Sequence, residues 1–195
     1  RGGSVIIWRS DRGGGFGRWL FPWRRLPLVL AALLPALYAV SVATARAGDT
    51  AAIFLVRHAE KTPDGNDPAL TKAGRQRAQD LAGLLQDSGI EFVYSTDFAR
   101  TRDTAAPLAG RLGLPVTLYD WNQMDALAAE LKTPGRRSLV VGHSDTTSEL
   151  VGLLGGEPGP PIDEPGEYDR LYVVRVGPEG SVTTELRRYG ALYSP

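Results

Sequence analysis

The chain has two histidines, and each closes an apolar run. Ile53-Phe54-Leu55-Val56 leads into Arg57-His58, and Leu139-Val140-Val141-Gly142 leads into His143. A continuous apolar run of this length reads as a buried strand of a parallel sheet. The carboxyl edge of such a sheet is where open α/β folds bind ligands. Arg100 lies one turn into the helical stretch that follows Phe92–Ser95, so it can point back over the same edge. Two strand-end histidines beside two arginines are hard to explain as packing. The set suits a phosphoryl group, because guanidinium forks bind phosphate oxygens in bidentate fashion and helix N-termini add backbone donors. A neutral imidazole is a competent nucleophile toward phosphorus. It would give a phosphohistidine that splits displacement into two easier steps.

The elements that must position these residues alternate apolar strands with helical patterns, the βαβ signature. The spacing predicts strands over 51–57, 90–95, 116–119 and 138–142. Helices are expected over about 71–87, 98–112, 124–131 and 145–154, the first with Thr71 as N-cap and Ala78, Leu81, Ala82, Leu84 and Leu85 on its apolar face. Loops are expected at 62–69 and 155–169, both dense in Gly, Pro and Asp. The chain finishes with 170–176 and 181–189, read as an antiparallel hairpin at the sheet edge. The fold class is α/β: three layers, α/β/α, with a mostly parallel central sheet.

Residues 1–47 differ from the rest. A basic segment precedes an uncharged stretch, Leu26–Val42, and the small-x-small ending Ala45-Arg46-Ala47, which together read as a secretory signal cleaved after Ala47. A spanning anchor is disfavoured: the apolar stretch is 17 residues long and carries Pro27 and Pro35. The absence of an initiating Met suggests a fragment or an over-long reading frame. Residues 48–195 would then form one domain, periplasmic or secreted. They carry 15 Lys+Arg against 21 Asp+Glu, a net charge of −6, which argues against nucleic acid or an anionic membrane as a main partner. With no cysteine there is no disulfide and no thiolate metal site, so the core must hold the domain together.

Four elements, in order, resemble the histidine phosphatase superfamily, which includes the cofactor-dependent phosphoglycerate mutases. They are Leu55-Val56-Arg57-His58-Ala59-Glu60, Leu70-Thr71-x-x-Gly74, the run from Tyr94 to Ala105 containing Ser95, Arg100 and Thr104-Ala105, and Val140-Val141-Gly142-His143-Ser144. The resemblance implies that His58 is the phosphorylated nucleophile. It makes Arg57, Arg100 and His143 the substrate-binding phosphate pocket, stabilising charge on the equatorial oxygens. It implies no metal and no cofactor, since the cations are built in. It also implies a backbone acceptor on the second nitrogen of His58 to select its tautomer.

Two departures stand out. Ala59 replaces the usual glycine. The family's glutamate after the third strand, the general acid, is missing, and Asp120 is the best positional candidate. Asp145 is the runner-up, one residue later than the aspartate that serves the acid-phosphatase branch. Glu60 and Lys61 read either as substrate contacts or as a solvated pair, Trp121 as pocket wall or core, and Arg102 as an intrahelical ion-pair partner. Glu167-Tyr168-Asp169-Arg170 reads as a structural ion-pair cluster.

The expected activity is hydrolysis of phosphate monoesters, on a small phosphorylated substrate or a phosphoprotein. Short connections disfavour a mutase, whose insertions cover the site. A non-catalytic phosphate-binding module of the same fold is the rival reading.

Overall fold

In the first strand, β1 (Ala51–Arg57), every residue is buried, and alternate side chains point into two separate cores. The computed structural model describes residues 49–164 and 166–194; the leader expected over residues 1–47 lies outside the described residues. After β1 come α1 (Lys72–Leu85), β2 (Phe92–Ser95), α2 (Ala99–Leu112), β3 (Val116–Leu118), α3 (Met124–Leu131), β4 (Arg137–Gly142), α4 (Ser144–Leu153), β5 (Arg170–Val176) and β6 (Val182–Arg188). The strands form one sheet in the order β3-β2-β4-β1-β5-β6. The first four are parallel, and β5 pairs antiparallel with both β1 and β6.

Both faces of the sheet are covered, which is why its central strands are apolar throughout. Ile53 and Leu55 pack with Leu127 and Leu131 of α3 and Leu150 of α4. Phe54 and Val56 pack with Leu81 and Leu85 of α1 and Leu108 of α2. Each such side chain, fully buried, contributes about 1.5–3 kcal/mol. These two cores make the expected three-layer α/β/α architecture.

Thr71 caps α1 as its sequence position implies, its hydroxyl accepting from the Gly74 N–H at 3.0 Å. Gly74 itself answers to packing. A Cβ there would meet the Glu60 carbonyl oxygen at 2.2 Å, so the first turn of α1 can lie against the chain leaving β1 only without a side chain.

Several boundaries differ from expectation. Strand β2 begins at Phe92 rather than Ile90, and β3 stops at Leu118, where Tyr119 turns its ring into the core beside α3 and α4. Leu84 stands half exposed rather than on the buried face of α1. Arg77 takes an inward position instead, because its guanidinium grips both carboxylate oxygens of Glu60 (3.0 Å each) and the carbonyls of Tyr189 (2.7 Å) and Ala191 (2.8 Å). Glu60 is therefore tied down structurally while its side chain stays partly exposed.

Candidate active site

The strand order carries the site. With β4 between β2 and β1 and all three parallel, their carboxyl ends lie side by side, Arg57 in register with Gly142 and Ser95 with Val141. The His58 N–H donates to the Gly142 carbonyl at 2.9 Å, extending the ladder past the strand end. One edge thus receives Arg57-His58 from β1, Thr96 and Arg100 from the β2–α2 junction, and His143 from the β4–α4 junction. The His58 and His143 rings meet edge to face with centroids 5.5 Å apart.

Each imidazole has one assignable tautomer. His58 Nδ1 lies 2.8 Å from the Ala59 carbonyl oxygen. A carbonyl only accepts, so Nδ1 carries the proton and Nε2 is left with a free lone pair. His143 is the reverse. Its Nδ1 faces the Arg100 Nη2 at 3.4 Å, a group that only donates, so its proton sits on Nε2 and goes to the Thr96 hydroxyl at 3.1 Å. Thr96 in turn donates to the Thr101 hydroxyl (3.0 Å), which lies 2.9 Å from the carbonyls of Thr96 and Phe98.

Burial sets the charge of both rings. Desolvation, with Arg57, Arg100 and His143 close by, pushes His58 down to about 3. Desolvation and then Arg100 push His143 down to about 4. Both imidazoles are therefore neutral near pH 7.

The arginines have donors to spare. Arg57 donates to the Glu167 carbonyl at 3.1 Å, pairs with Glu164 at 3.0 Å, and stacks 4.1 Å over the Tyr168 ring. Arg100 stacks 4.4 Å over Phe98 and reaches Asp67 at 3.7 Å. The Nε atoms of Arg57 and Arg100 are buried without a partner. An unsatisfied buried donor costs about 1–3 kcal/mol, and an anion accepting from both would remove that cost. Among the described residues no group of three or more His, Asp or Glu side chains is placed to hold a metal ion.

A cleft of about 360 Å³ opens over both histidines and Arg100, its walls including Lys61, Phe98, Trp121, Asp145 and Glu164. The structure thus brings together Arg57, His58, Arg100 and His143. Lys61 and Trp121 are wall residues. Asp120 is not part of the cleft: it is exposed, accepts from the Asn122 backbone and side chain at 2.9 Å each, and lines a different depression beside Tyr94 and Glu130. Asp145 lines the cleft, its carboxylate accepting from the Thr146 N–H at 2.8 Å. Arg102 pairs with Asp97, which lies just ahead of the helix rather than within it.

Three contributors gain their roles only from the structure. Thr104, read in the sequence as part of a motif but given no role, is one: its hydroxyl accepts from the Ala59 N–H at 3.0 Å and donates to the Arg100 carbonyl at 2.7 Å, joining the two halves of the site. The others, Glu164 and Tyr168, come from the 155–169 loop. Prolines 158, 160 and 161 lack N–H groups, and their carbonyls are gathered by Arg170 (2.7 and 3.2 Å, to Pro160 and Pro161) and by the Tyr172 hydroxyl (2.9 Å, to Pro158). Arg170 also forks onto Glu167 at 2.7 Å through both Nε and Nη2, and Arg188 bonds Glu167 and Asp169. Glu167, Asp169 and Arg170 are thus the expected ion-pair cluster. Tyr168 is not part of it; its ring packs against Arg57 and lies 6.0 Å from His58.

Residues 53–130 match the sequence profile of the histidine phosphatase superfamily, branch 1. A protein of Erwinia tasmaniensis named "Probable phosphoglycerate mutase GpmB" is 32% identical over 108 residues, covering 46% of this chain and 50% of that protein. One of the same name from Salmonella paratyphi A is 31% identical over 123 residues, 54% of each. The chain spans about half the length of the curated relatives it matches. Among solved structures, the protein histidine phosphatase SixA in complex with tungstate superposes with a TM-score of 0.56 at 21% identity, covering 70% of this chain and 96% of SixA. The mycobacterial glucosyl-3-phosphoglycerate phosphatase gives 0.54 at 18% identity, covering 73% and 99%. At these identities the likeness is one of fold.

Proposed function

We propose that this chain is a phosphatase that hydrolyses phosphate monoesters through a phosphohistidine on His58. The observation that carries the reading is the His58–Ala59 hydrogen bond. It commits the proton to Nδ1 and leaves a neutral, unshared Nε2 at the cleft. The phosphoryl group would take its hydrogen bonds from the guanidinium groups of Arg100 and Arg57, and its charge would draw a proton onto Nδ1 of His143. Nε2 attacks phosphorus in line, the ester oxygen leaves, and water then cleaves the P–N bond to regenerate His58. Preorganised cations stabilise the charge on the equatorial oxygens throughout.

The substrate is proposed as a small phosphate ester or a phosphorylated protein side chain, since the cleft is open and Trp121 at its wall is half exposed. The leader-like residues 1–47 support export, and the N-terminal sequence of the native protein would test it.

The test of function is turnover of an activated aryl phosphate. Wild-type protein should hydrolyse it and form an acid-labile phosphoenzyme, and His58→Ala should lose both. Phosphate binding without turnover in the wild type would favour a binding module instead.

A further inference from the structure

The phosphatase reading leaves open which group protonates the departing oxygen, and Asp120 stands outside the cleft. We infer that Glu164, delivered by the proline-rich loop, is the proton donor to the leaving group. The inference rests on the phosphatase reading and adds a residue to it.

Among the described residues, two carboxylates line the cleft, Asp145 and Glu164. Asp145 sits in the first turn of α4 and accepts a bond from the Thr146 N–H. Asp145 is thus engaged by the backbone of its own helix. Glu164 has no helix behind it. Its two partners are Arg57, at 3.0 Å, and the Ser144 hydroxyl. Its negative charge is also felt at Arg100 and at His143, so it faces the cationic side of the cleft as a whole. Its side chain is 56% exposed, which gives it access to water for reloading.

The arriving substrate changes its surroundings in the required direction. In the free protein Arg57 neutralises Glu164. A phosphate dianion takes over Arg57 and places negative charge beside the carboxylate, and like charge favours protonation. The proton that Glu164 passes on comes from solvent, which its exposed side chain reaches. As the His58 Nε2–phosphorus bond forms and the ester P–O bond breaks, the Glu164 carboxyl passes its proton to the leaving oxygen, releasing an alcohol. The Glu164 carboxylate then accepts a proton from the water that attacks the phosphohistidine. Phosphate leaves, His58 is neutral again, and one water has been consumed.

The experiment compares Glu164→Gln, Asp145→Asn and His58→Ala with the wild type on a dinitrophenyl phosphate and on an alkyl phosphate. A well-placed general acid is worth about 10²–10⁴-fold, and only where the leaving group needs protonation. Glu164→Gln should therefore lose about 100-fold or more in kcat on the alkyl ester and only a few-fold on the dinitrophenyl ester. The basic limb of its kcat–pH profile on the alkyl ester should vanish. Asp145→Asn should leave the ratio between the two substrates as in the wild type. Equal losses on both substrates in Glu164→Gln, or none, would overturn the assignment while leaving the phosphatase intact. So would a leaving-group-dependent loss in Asp145→Asn. Undiminished turnover in His58→Ala would instead sink the phosphatase reading beneath it.

Discussion

His58 hands its Nδ1 proton to the carbonyl of its own neighbour, Ala59, 2.8 Å away, and Ala59 is in turn held by the Thr104 hydroxyl, 3.0 Å from its N–H. The orientation of the imidazole thus depends on a backbone unit clamped from a helix 45 residues further on. In ¹⁵N spectra at pH 7, His58 should appear neutral, with Nδ1 protonated and Nε2 bare. An imidazolium signal, or a proton on Nε2, would contradict the nucleophile proposed here.

Thr104→Val keeps the shape of the residue and removes its oxygen. The buried Ala59 N–H loses its acceptor, at a cost of about 1–3 kcal/mol. The loss should appear in urea unfolding, accompanied by a fall in kcat as the Ala59 carbonyl loosens its hold on His58. An unchanged midpoint and an unchanged rate would mean the clamp is incidental.

Stability should weaken on mild acidification. His58 titrates near its ordinary value of 6.5 in the unfolded chain and at about 3 in the folded one. Between those values the unfolded state binds the extra proton, so the stabilisation is complete above pH 6.5 and declines as pH falls. His58 alone contributes a slope of about 1.4 kcal/mol per pH unit, and His143, also lowered, acts in the same direction. From pH 6.5 to 5 few carboxylates titrate, so denaturation series in that window isolate the histidines. His58→Gln should flatten the slope, and phosphate should protect the wild type.

Glu167 is buried with Arg170, also accepting from the Asp163 N–H and from Arg188. Burial alone would raise its carboxyl, but the Arg170, Asp163 and Arg188 bonds prevail and hold it at about 2. Glu167→Gln leaves Arg170 charged and unpaired inside the domain, at a cost of about 3–5 kcal/mol. Because Arg170 also gathers the proline carbonyls, the variant should let the 155–169 loop exchange faster with deuterium and should weaken phosphate binding along with stability. Loss of stability without loosening of that loop would detach the ion pair from the site.

Gly74→Ala would normally favour a helix. Here the new methyl would run into the Glu60 carbonyl, 2.2 Å from the Cβ position. The variant should be destabilised by about 1–3 kcal/mol, as overpacked sites are. A thermal melt as high as that of the wild type would mean that the start of α1 can shift to make room.

What the sequence determined by itself is local or periodic. The apolar runs before Arg57 and His143 are continuous because both faces of their strands are buried, and that continuity marks β1 and β4 without any tertiary knowledge. Thr71 caps α1 through a bond to Gly74, three residues away, so the cap was readable as spacing. The meeting of Arg57, His58, Arg100 and His143 follows once β1, β2 and β4 are taken as parallel neighbours, since strand ends then coincide.

Tertiary structure alone decided the rest. Asp120 sits at the expected place in the chain, yet the turn it makes with Asn122 keeps it out of the cleft. Glu164 and Tyr168 lie in a loop whose shape depends on where Arg170 and Tyr172 capture its carbonyls, and no periodicity encodes such contacts. The pairing of Glu60 with Arg77 likewise ties a loop side chain into a partly buried clamp. These are side-chain bonds between distant segments, and they exist only after the sheet has brought the segments together.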